Sequence, residues 1–432
     1  MSSPLLASGV RRSLAQIRYV SPVLPGRADG LVGAVYAQAE RDFGLVAPPL
    51  VLHSPAPAAL AASWLMLRET LLANGSAARA QKEVVAAAVS VANECPYCVA
   101  VHSAAVRDLV DGRVSAEVAA GRFEDVADPG LRDAAVWARG TGRPGNAHPA
   151  PAGNLPELAG VAIAFHYLNR MVTIFLPESP LPPLTPKAMG GWVMGMLASA
   201  MTGPSPAPGA ALELLPDAPL PAEFCWAAGA PPVASALARA AAAADTAAGL
   251  TVPEPVRELL LGRLRDWQGS APGPGRSWAD DWAGPLPAAD RPLGRLALLA
   301  ALAPYQVTKA DIEATGPGSE EASWSSDAHV ARSADARTSA TILAAASSSR
   351  ALTSCSTGAV GIPGSISSIR RRSATTWPAD AVTATAQPRW WAIPTRTPSG
   401  TARPGVSGRG RAVLRGPGKR GGRGLVRGQE RL

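Results

Sequence analysis

Two cysteines and a histidine lie close together in the stretch ANECPYCVAVH, which spans residues 92–102. Cys95 and Cys98 are three positions apart, and His102 follows Cys98 by about one helical turn. A thiol is a weak nucleophile until it loses its proton, since an unperturbed cysteine has a pKa of about 8.5. A histidine on the same helix face can take that proton. The spacing therefore predicts thiol redox chemistry that is assisted by an acid–base group.

The local sequence also predicts a helix that begins at this site. Pro96 favours the first position of a helix, and Asn93, Glu94 or Cys95 could cap it. The free N–H groups and the positive dipole end at a helix N-terminus stabilise a thiolate. We therefore expect the pKa of a thiol such as that of Cys98 to be lowered.

Glu83 lies in the preceding helical pattern, ARAQKEVVAAAVSVAN, which is almost entirely apolar after this residue. A helix of this kind packs on most of its sides. If the two helices are neighbours, the Glu83 carboxylate can fix the imidazole tautomer of His102 or move a proton through a water molecule.

The composition limits the class of protein. The chain has 432 residues, of which 47% are apolar, and this suits a soluble globular protein with two or three domains. No run of roughly 18 or more apolar residues is present, so no membrane-spanning helix is expected. The start of the chain lacks a secretory signal pattern, which favours a cytoplasmic location. Four cysteines indicate metal-binding or redox chemistry rather than a disulfide scaffold.

The net charge of +8 originates in the C-terminal part of the chain. Residues 319–432 contain 17 Lys and Arg against 6 Asp and Glu, whereas residues 1–318 contain 24 against 27. The body is therefore mildly acidic and does not indicate nucleic-acid binding.

The apolar residues recur with helical periodicity along the body of the chain. The run LPELAGVAIAFHYLNRMVTIFL, residues 155–176, is long and apolar and predicts a buried helix. No stretch shows the sustained alternation of a strand, so the predicted fold class is all-α.

Changes in composition divide the chain into four parts. We expect a first helical unit with the Cys-x-x-Cys site over residues 1–176 and a Pro/Gly-rich linker with a small helix over residues 177–222. A second helical unit follows over residues 223–318, and a low-complexity basic tail occupies residues 319–432.

The second helical unit aligns loosely with the first at an offset of 175 residues, which predicts a degenerate repeat. This alignment pairs Glu83 with Glu258. It replaces the thiols and the imidazole by residues that lack these groups, which are Ser270, Gly273 and Ser277.

The tail has no apolar periodicity, so we expect it to be disordered. The repeat requires a long apolar helix soon after Gly318, and none is present. Our hypothesis is that the reading frame was lost near residues 313–323. The alternative is a genuine basic tail, because RGRAVLRGPGKRGGRGLVRG resembles Arg/Gly-rich nucleic-acid-binding segments.

The pattern Glu-x11-Cys-x2-Cys-x3-His in a helical setting resembles the AhpD-like (alkylhydroperoxidase D) branch of the carboxymuconolactone decarboxylase family. The four residues are Glu83, Cys95, Cys98 and His102. The resemblance extends over about residues 20–176 and, more weakly, over residues 223–315. It implies an AhpD-like helical fold and a thiol-dependent peroxidase or disulfide reductase.

The resemblance also implies a role for each residue. Cys98 would attack a hydroperoxide as thiolate, and Cys95 would resolve the product as a disulfide. His102 and Glu83 would form the proton relay. An external dithiol such as a lipoyl domain or a thioredoxin-like protein would reduce the disulfide, and no cofactor is expected. Family members are single-copy subunits that form trimers or hexamers. A chain of two tandem units departs from this pattern and could supply one of those interfaces internally; a homo-oligomer is a further expectation.

One position departs from the family pattern. The peroxidase of this family has a histidine immediately before the second cysteine, and this chain has Tyr97. The change puts peroxidase efficiency in question more than thiol chemistry, so a non-peroxidatic dithiol–disulfide exchange protein stays open as an alternative.

Other interpretations of the cysteine pair also stay open. Cys95, Cys98 and His102 could bind structural zinc, with Cys225 or His166 as a fourth ligand. The CPYC tetrapeptide occurs in glutaredoxins, but there a strand precedes it, and here a helix does. The decarboxylase branch lacks the thiol pair. Chance burial of two cysteines does not account for the acid at the family spacing.

Overall fold

The computed structural model of the protein describes residues 12–142, 151, 153–181, 185–266 and 272–315. These residues form helices and connecting turns, and none of them lies in a strand. The predicted all-α fold is therefore confirmed. The predicted tail, residues 319–432, lies outside the described residues.

Eight α-helices whose full range lies in the described residues precede the Pro/Gly-rich segment. They are α1 (Gly30–Asp42), α2 (Pro48–Val51), α3 (Pro57–Leu67), α4 (Arg79–Ala92), α5 (Pro96–Leu109), α6 (Gly112–Ala119), α7 (Pro129–Gly140) and α8 (Leu155–Phe175). A short π-helical turn, Arg68–Leu72, extends α3.

The helices that follow α8 are α9 (Lys187–Met201), α10 (Pro231–Thr251), α11 (Glu254–Asp266), α12 (Ser277–Ala283), α13 (Arg291–Leu302) and α14 (Lys309–Glu313). Short 3₁₀ turns connect several elements, at Pro25–Arg27, Phe123–Asp125, Leu212–Leu214, Ala222–Gly229 and Pro304–Gln306.

Helix α4 is the centre of the first group. It packs against α5, α7 and α8, and nearly all of its side chains after the first turn are buried. Its N-terminal end is tied to α8 by an ion pair in which Lys82 Nζ lies 2.8 Å from Glu157 Oε2. The same carboxylate accepts the backbone N–H of Ser76 at 2.6 Å. This anchoring fixes the N-terminal part of α4, which includes Glu83.

Helix α8 is the long apolar helix that the sequence predicts. By length and composition it could cross a membrane, but it is 83% buried inside the protein, as is typical of a core helix. The aromatic residues Phe165, Tyr167 and Phe175 are among its largest buried side chains. Burial of each such side chain contributes about 1.5–3 kcal/mol to the hydrophobic stabilisation.

The Pro/Gly-rich segment contains α9, which is longer than the small helix that the sequence suggests. This helix packs against α5. Farther along the chain, α10 packs along α3, and α13 packs on α11 and α12. The predicted boundaries of the helical units and of the linker stay predictions.

Candidate active site

The turn between α4 and α5 positions the cysteine pair. Glu94 has a left-handed backbone conformation, with φ of +51°, and the Cys95 N–H donates to Ser90 O at 3.0 Å. The chain then reverses, and α5 begins at Pro96. Cys95 is the N-cap residue, as the sequence allows, but its side chain makes no capping hydrogen bond. Cys98 therefore lies in the first turn of α5.

The two thiols are in contact. Cys95 Sγ and Cys98 Sγ are 2.8 Å apart, both side chains are buried, and both cysteines are free. A disulfide bond requires a separation of about 2.05 Å. A small movement therefore suffices to join the two sulfur atoms, so the pair can cycle between dithiol and disulfide.

The predicted acid and the predicted histidine also meet. His102 Nδ1 lies 2.7 Å from Glu83 Oε2. An edge-to-face contact with Phe165, whose ring centroid is 4.4 Å from that of His102, holds the imidazole ring from α8. The structure thus brings all four predicted site residues together on the α4–α5 pair.

Arg79 is the residue that the sequence analysis missed. Its Nε and Nη2 atoms donate to Glu83 Oε1 at 3.0 and 2.7 Å, while His102 occupies the other carboxylate oxygen. The spacing of Arg79 and Glu83 is that of an ordinary i,i+4 surface pair. The full burial of Glu83 distinguishes it from such a pair.

The charge state of Glu83 follows from this arrangement. Burial alone would raise its pKa, but the charges and hydrogen bonds of Arg79 and His102 outweigh burial and lower the pKa to about 2. Glu83 is therefore ionised at neutral pH and can only accept hydrogen bonds. Because His102 Nδ1 must then carry the proton, neutral His102 has its lone pair on Nε2, where it can act as a base.

The electrostatics of Cys98 differ from the sequence expectation. Burial, followed by the hydrogen bond and charge of Cys95, raises the pKa of the Cys98 thiol well above its usual value. The position in the first turn of α5 does not overcome desolvation. Cys98 is therefore a thiol at rest, and it needs a base to become a nucleophile.

A large cavity opens onto the thiol site. Its volume is about 950 Å³, and Cys98, Tyr97 and His102 contribute to its wall, together with Phe165 from α8. Cys95 is not part of the wall. A molecule in the cavity can therefore reach Cys98, while Cys95 lies behind it.

Helix α9 covers the cavity, and we call it the lid. Its C-terminal end is held to the site, since Asp108 of α5 accepts from Ser199 at 3.1 Å and from Thr202, and Arg79 donates to Met201 O at 3.1 Å. Arg79 thus contacts both the lid and Glu83. At the other end of the lid, Trp192 is 53% exposed.

Gly44 allows the lid to pack closely against the turn that follows α1. Gly44 has a φ of +81°, and a Cβ atom at this position would lie only 2.2 Å from Ala200 O in the lid. Both the backbone conformation and the close contact favour glycine here.

Tyr97 stands at the position that departs from the family pattern. It is buried and lines the cavity, and burial, followed by the charges of Cys98 and Cys95, raises its pKa above the usual value. Tyr97 therefore keeps its proton near neutral pH. It can donate a hydrogen bond, but it cannot replace a histidine as a base.

His166, which the sequence offers as a fourth zinc ligand, is a buried core histidine with hydrogen-bond partners on both ring nitrogens. Asn93 Nδ2 donates to its Nδ1 at 3.0 Å, and its Nε2 lies 3.0 Å from Thr141 Oγ1. Since Asn93 is in the turn before Cys95, this hydrogen bond holds the turn in place against α8. Among the described residues, no group of three His, Cys, Asp or Glu side chains is arranged to hold a metal ion.

Comparisons with known proteins agree with this site. The model of the carboxymuconolactone decarboxylase family matches residues 58–140, which contain all four predicted site residues. An alkyl hydroperoxide reductase from Mycobacterium tuberculosis (strain ATCC 25618 / H37Rv) is 36% identical over 307 residues, which are 69% of this chain and 86% of that protein. The chain belongs to the carboxymuconolactone decarboxylase family.

Membership of this family confirms the resemblance that the sequence indicates and, with the named relative, the expectation of an AhpD-like oxidoreductase enzyme. Because 307 aligned residues exceed the length of the predicted first unit, the similarity to the relative continues beyond residue 176. No solved structure matches the chain significantly.

Proposed function

We propose that this family member is a thiol-dependent peroxidase that reduces organic hydroperoxides through Cys95 and Cys98. The observation that carries the proposal is that Cys98 and His102 share the wall of one cavity, while Cys95 Sγ lies 2.8 Å behind Cys98 Sγ. The name of the mycobacterial relative, an alkyl hydroperoxide reductase, supports the same reaction.

The first step activates Cys98. Its thiol proton passes to Nε2 of neutral His102, and the resulting imidazolium is stabilised by the Glu83 carboxylate at Nδ1. The thiolate attacks the terminal oxygen of the hydroperoxide, and the O–O bond breaks. Cys98 becomes a sulfenic acid, and the leaving alkoxide takes the proton from His102 to form an alcohol.

The second step closes the disulfide. The Cys95 thiol attacks the Cys98 sulfenic sulfur, a disulfide forms, and one water molecule leaves. An external dithiol, for example a lipoyl domain or a thioredoxin-like protein, reduces this disulfide and becomes a disulfide itself. We also propose a cytoplasmic location, where such reductants keep thiols reduced, and a homo-oligomeric state.

Consumption of cumene hydroperoxide under a dithiol reductant tests the proposal. We expect turnover by the wild type and a loss of at least about a thousandfold in Cys98→Ser, since the nucleophile is removed. Equal turnover by wild type and Cys98→Ser would show that another group carries the reaction.

A second candidate is dithiol–disulfide exchange without peroxide reduction. One observation favours it: Tyr97 stands at the position that departs from the family pattern, and it cannot act as a base. If the reduced protein exchanges with a small disulfide but leaves cumene hydroperoxide unchanged, exchange is the function. A Tyr97→His variant that gains peroxide turnover would identify residue 97 as the cause.

A further inference from the structure

The cavity is much larger than the reaction at Cys98 requires. Hydrogen peroxide is about the size of a water molecule, whereas the cavity of about 950 Å³ is at the upper end of the range for pockets that hold drug-sized ligands. Its wall is largely apolar, with side chains such as Phe43, Leu50, Leu168 and Met196. Each methylene group that such a wall removes from water increases affinity about fourfold. The cavity therefore selects a long apolar chain.

One cation interrupts this apolar wall. Of the described residues that line the cavity, Arg12 is the one with a permanent charge, and it is exposed at the rim. It forms no ion pair with any described residue. Its segment is held in place, since Leu14 is buried and the Arg18 N–H donates to Phe175 O at 2.8 Å. A fixed positive charge at the rim of an apolar cavity matches an amphiphile with one anionic end.

We propose that the substrate is a long-chain fatty acid hydroperoxide. Its carboxylate pairs with Arg12 at the rim, and its acyl chain lies along the apolar wall beneath the lid, with the hydroperoxide at Cys98. The reaction is the one given above: Cys98 takes the terminal oxygen, and the product is the corresponding hydroxy fatty acid. This inference rests on the proposed function, because it names the substrate of the same site.

The first test compares hydroperoxides that differ only in their anionic end. We expect kcat/KM for linoleic acid hydroperoxide to exceed that for its methyl ester by about twofold to fivefold, the usual order for one solvent-exposed ion pair. Arg12→Gln should reduce this acid-to-ester ratio to about one, and Arg12→Glu should invert it. Arg27→Gln is the control, because Arg27 is exposed and does not line the cavity.

The second test does not depend on peroxide turnover. Oleate, which cannot oxidise the thiols, should protect Cys98 from alkylation by iodoacetamide and should change the fluorescence of Trp192, which also lines the cavity. Arg12→Gln should weaken this protection about twofold to fivefold, and methyl oleate should protect wild type and variant equally.

The outcomes separate the two claims. Protection by oleate without turnover of any hydroperoxide would overturn the proposed function and leave the ligand class standing. Equal kcat/KM for the acid, the ester and hydrogen peroxide, with no protection by oleate, would overturn the inference and leave the peroxidase standing. An acid preference that survives in Arg12→Gln would also overturn the inference, because the carboxylate would then be bound elsewhere.

Discussion

Glu83 and Glu258 occupy the same position in two stretches of sequence that align at an offset of 175 residues, yet their surroundings differ. Glu83 on α4 is fully buried between Arg79 and His102. Glu258 on α11 is exposed. The neighbouring Arg257 pairs with Glu254 instead. The same residue type is thus part of a buried network of ionic contacts in one region and a solvated surface group in the other.

Three features of its surroundings would let a carboxylate assist thiol chemistry through a histidine. Burial removes the competing water, a fixed cation keeps the carboxylate ionised, and a histidine on the next helix donates a hydrogen bond to its second oxygen. In the second region the position that corresponds to Cys98 is Gly273, in a loop with φ of +103°, and Ser277 begins α12. The described residues of that region therefore form no relay.

The two predicted helical units contact each other through helices that correspond in the alignment at an offset of 175 residues. Helices α3 and α10 lie at corresponding positions of the offset alignment, and they pack along one another. Contact between corresponding helices is the pattern of a two-fold interface between related units. The repeat itself stays a prediction.

The largest effect on activity is expected from a substitution of Glu83. Glu83→Gln keeps the shape of the side chain but removes the charge that orients and stabilises His102. We expect kcat/KM for cumene hydroperoxide to fall by about a hundredfold to a thousandfold, within the range for acid–base groups. Glu258→Gln should leave it unchanged, because that residue is exposed. Equal losses in both variants would contradict a role specific to the buried acid.

The second expected effect is on stability in acid. The pKa of Glu83 is lowered from 4.5 to about 2, so its contribution to stability, about 3 kcal/mol, is fully present above pH 4.5. This contribution is lost as the pH falls from 4.5 to about 2. Urea unfolding of wild type and Glu83→Gln should therefore show a stability difference that narrows over this range. A difference that stays constant with pH would show that Glu83 is not ionised in the fold.

Arg79 provides a sharper test of how the acid is kept ionised. Burial raises the pKa of Glu83, and the charge of Arg79 lowers it. Arg79→Gln removes this charge, so the pKa of Glu83 should rise. The acid limb of the kcat/KM profile should move to higher pH, with a loss of about tenfold at pH 5, and Arg79→Lys should restore part of it. Arg113→Gln is the matched control, since Arg113 pairs with Glu117 at the same spacing but is 77% exposed. An identical shift of the acid limb in Arg79→Gln and Arg113→Gln would show that the contact between Arg79 and Glu83 is not its cause.

The smallest expected effect concerns the lid, which covers the thiol region. Gly44→Ala introduces a Cβ atom 2.2 Å from Ala200 O and a strained left-handed alanine, together worth about 1–3 kcal/mol. We expect the lid to loosen and the alkylation of Cys98 by iodoacetamide to accelerate severalfold, with the melting temperature as a check of folding. Gly191→Ala, in an open part of the lid helix, should not accelerate it. Unchanged alkylation in both variants would show that the lid does not control access.

The parts of the site that depend on local geometry follow from the sequence. The spacing of Cys95, Cys98 and His102 on one helix, with Pro96 at its start, fixes their shared face wherever α5 packs. The apolar surroundings of Glu83 indicate that its helix is buried. The all-α class follows from the same periodicity.

The remaining parts depend on tertiary contacts that spacing does not encode. In the sequence, Arg79 and Glu83 have the spacing of a surface ion pair. Only the contact of Arg79 with the lid and the burial of Glu83 show that this pair is part of the site. The raised pKa of Cys98 results from desolvation, which outweighs the helix N-terminus. The lid comes from a segment whose Pro and Gly content is typical of a linker. Arg12 is far from Cys98 in the sequence, and only the tertiary fold brings it to the wall of the cavity.

The most direct test of the account is a thiol count after one equivalent of cumene hydroperoxide is added to the reduced protein without any other reductant. The proposed cycle requires the loss of two thiols per chain, with mass spectrometry locating the new disulfide between Cys95 and Cys98. Cys95→Ser should stop at a Cys98 sulfenic acid, and Cys98→Ser should lose neither thiol. Two thiols that stay unreactive in the native protein and react only after denaturation would contradict the account.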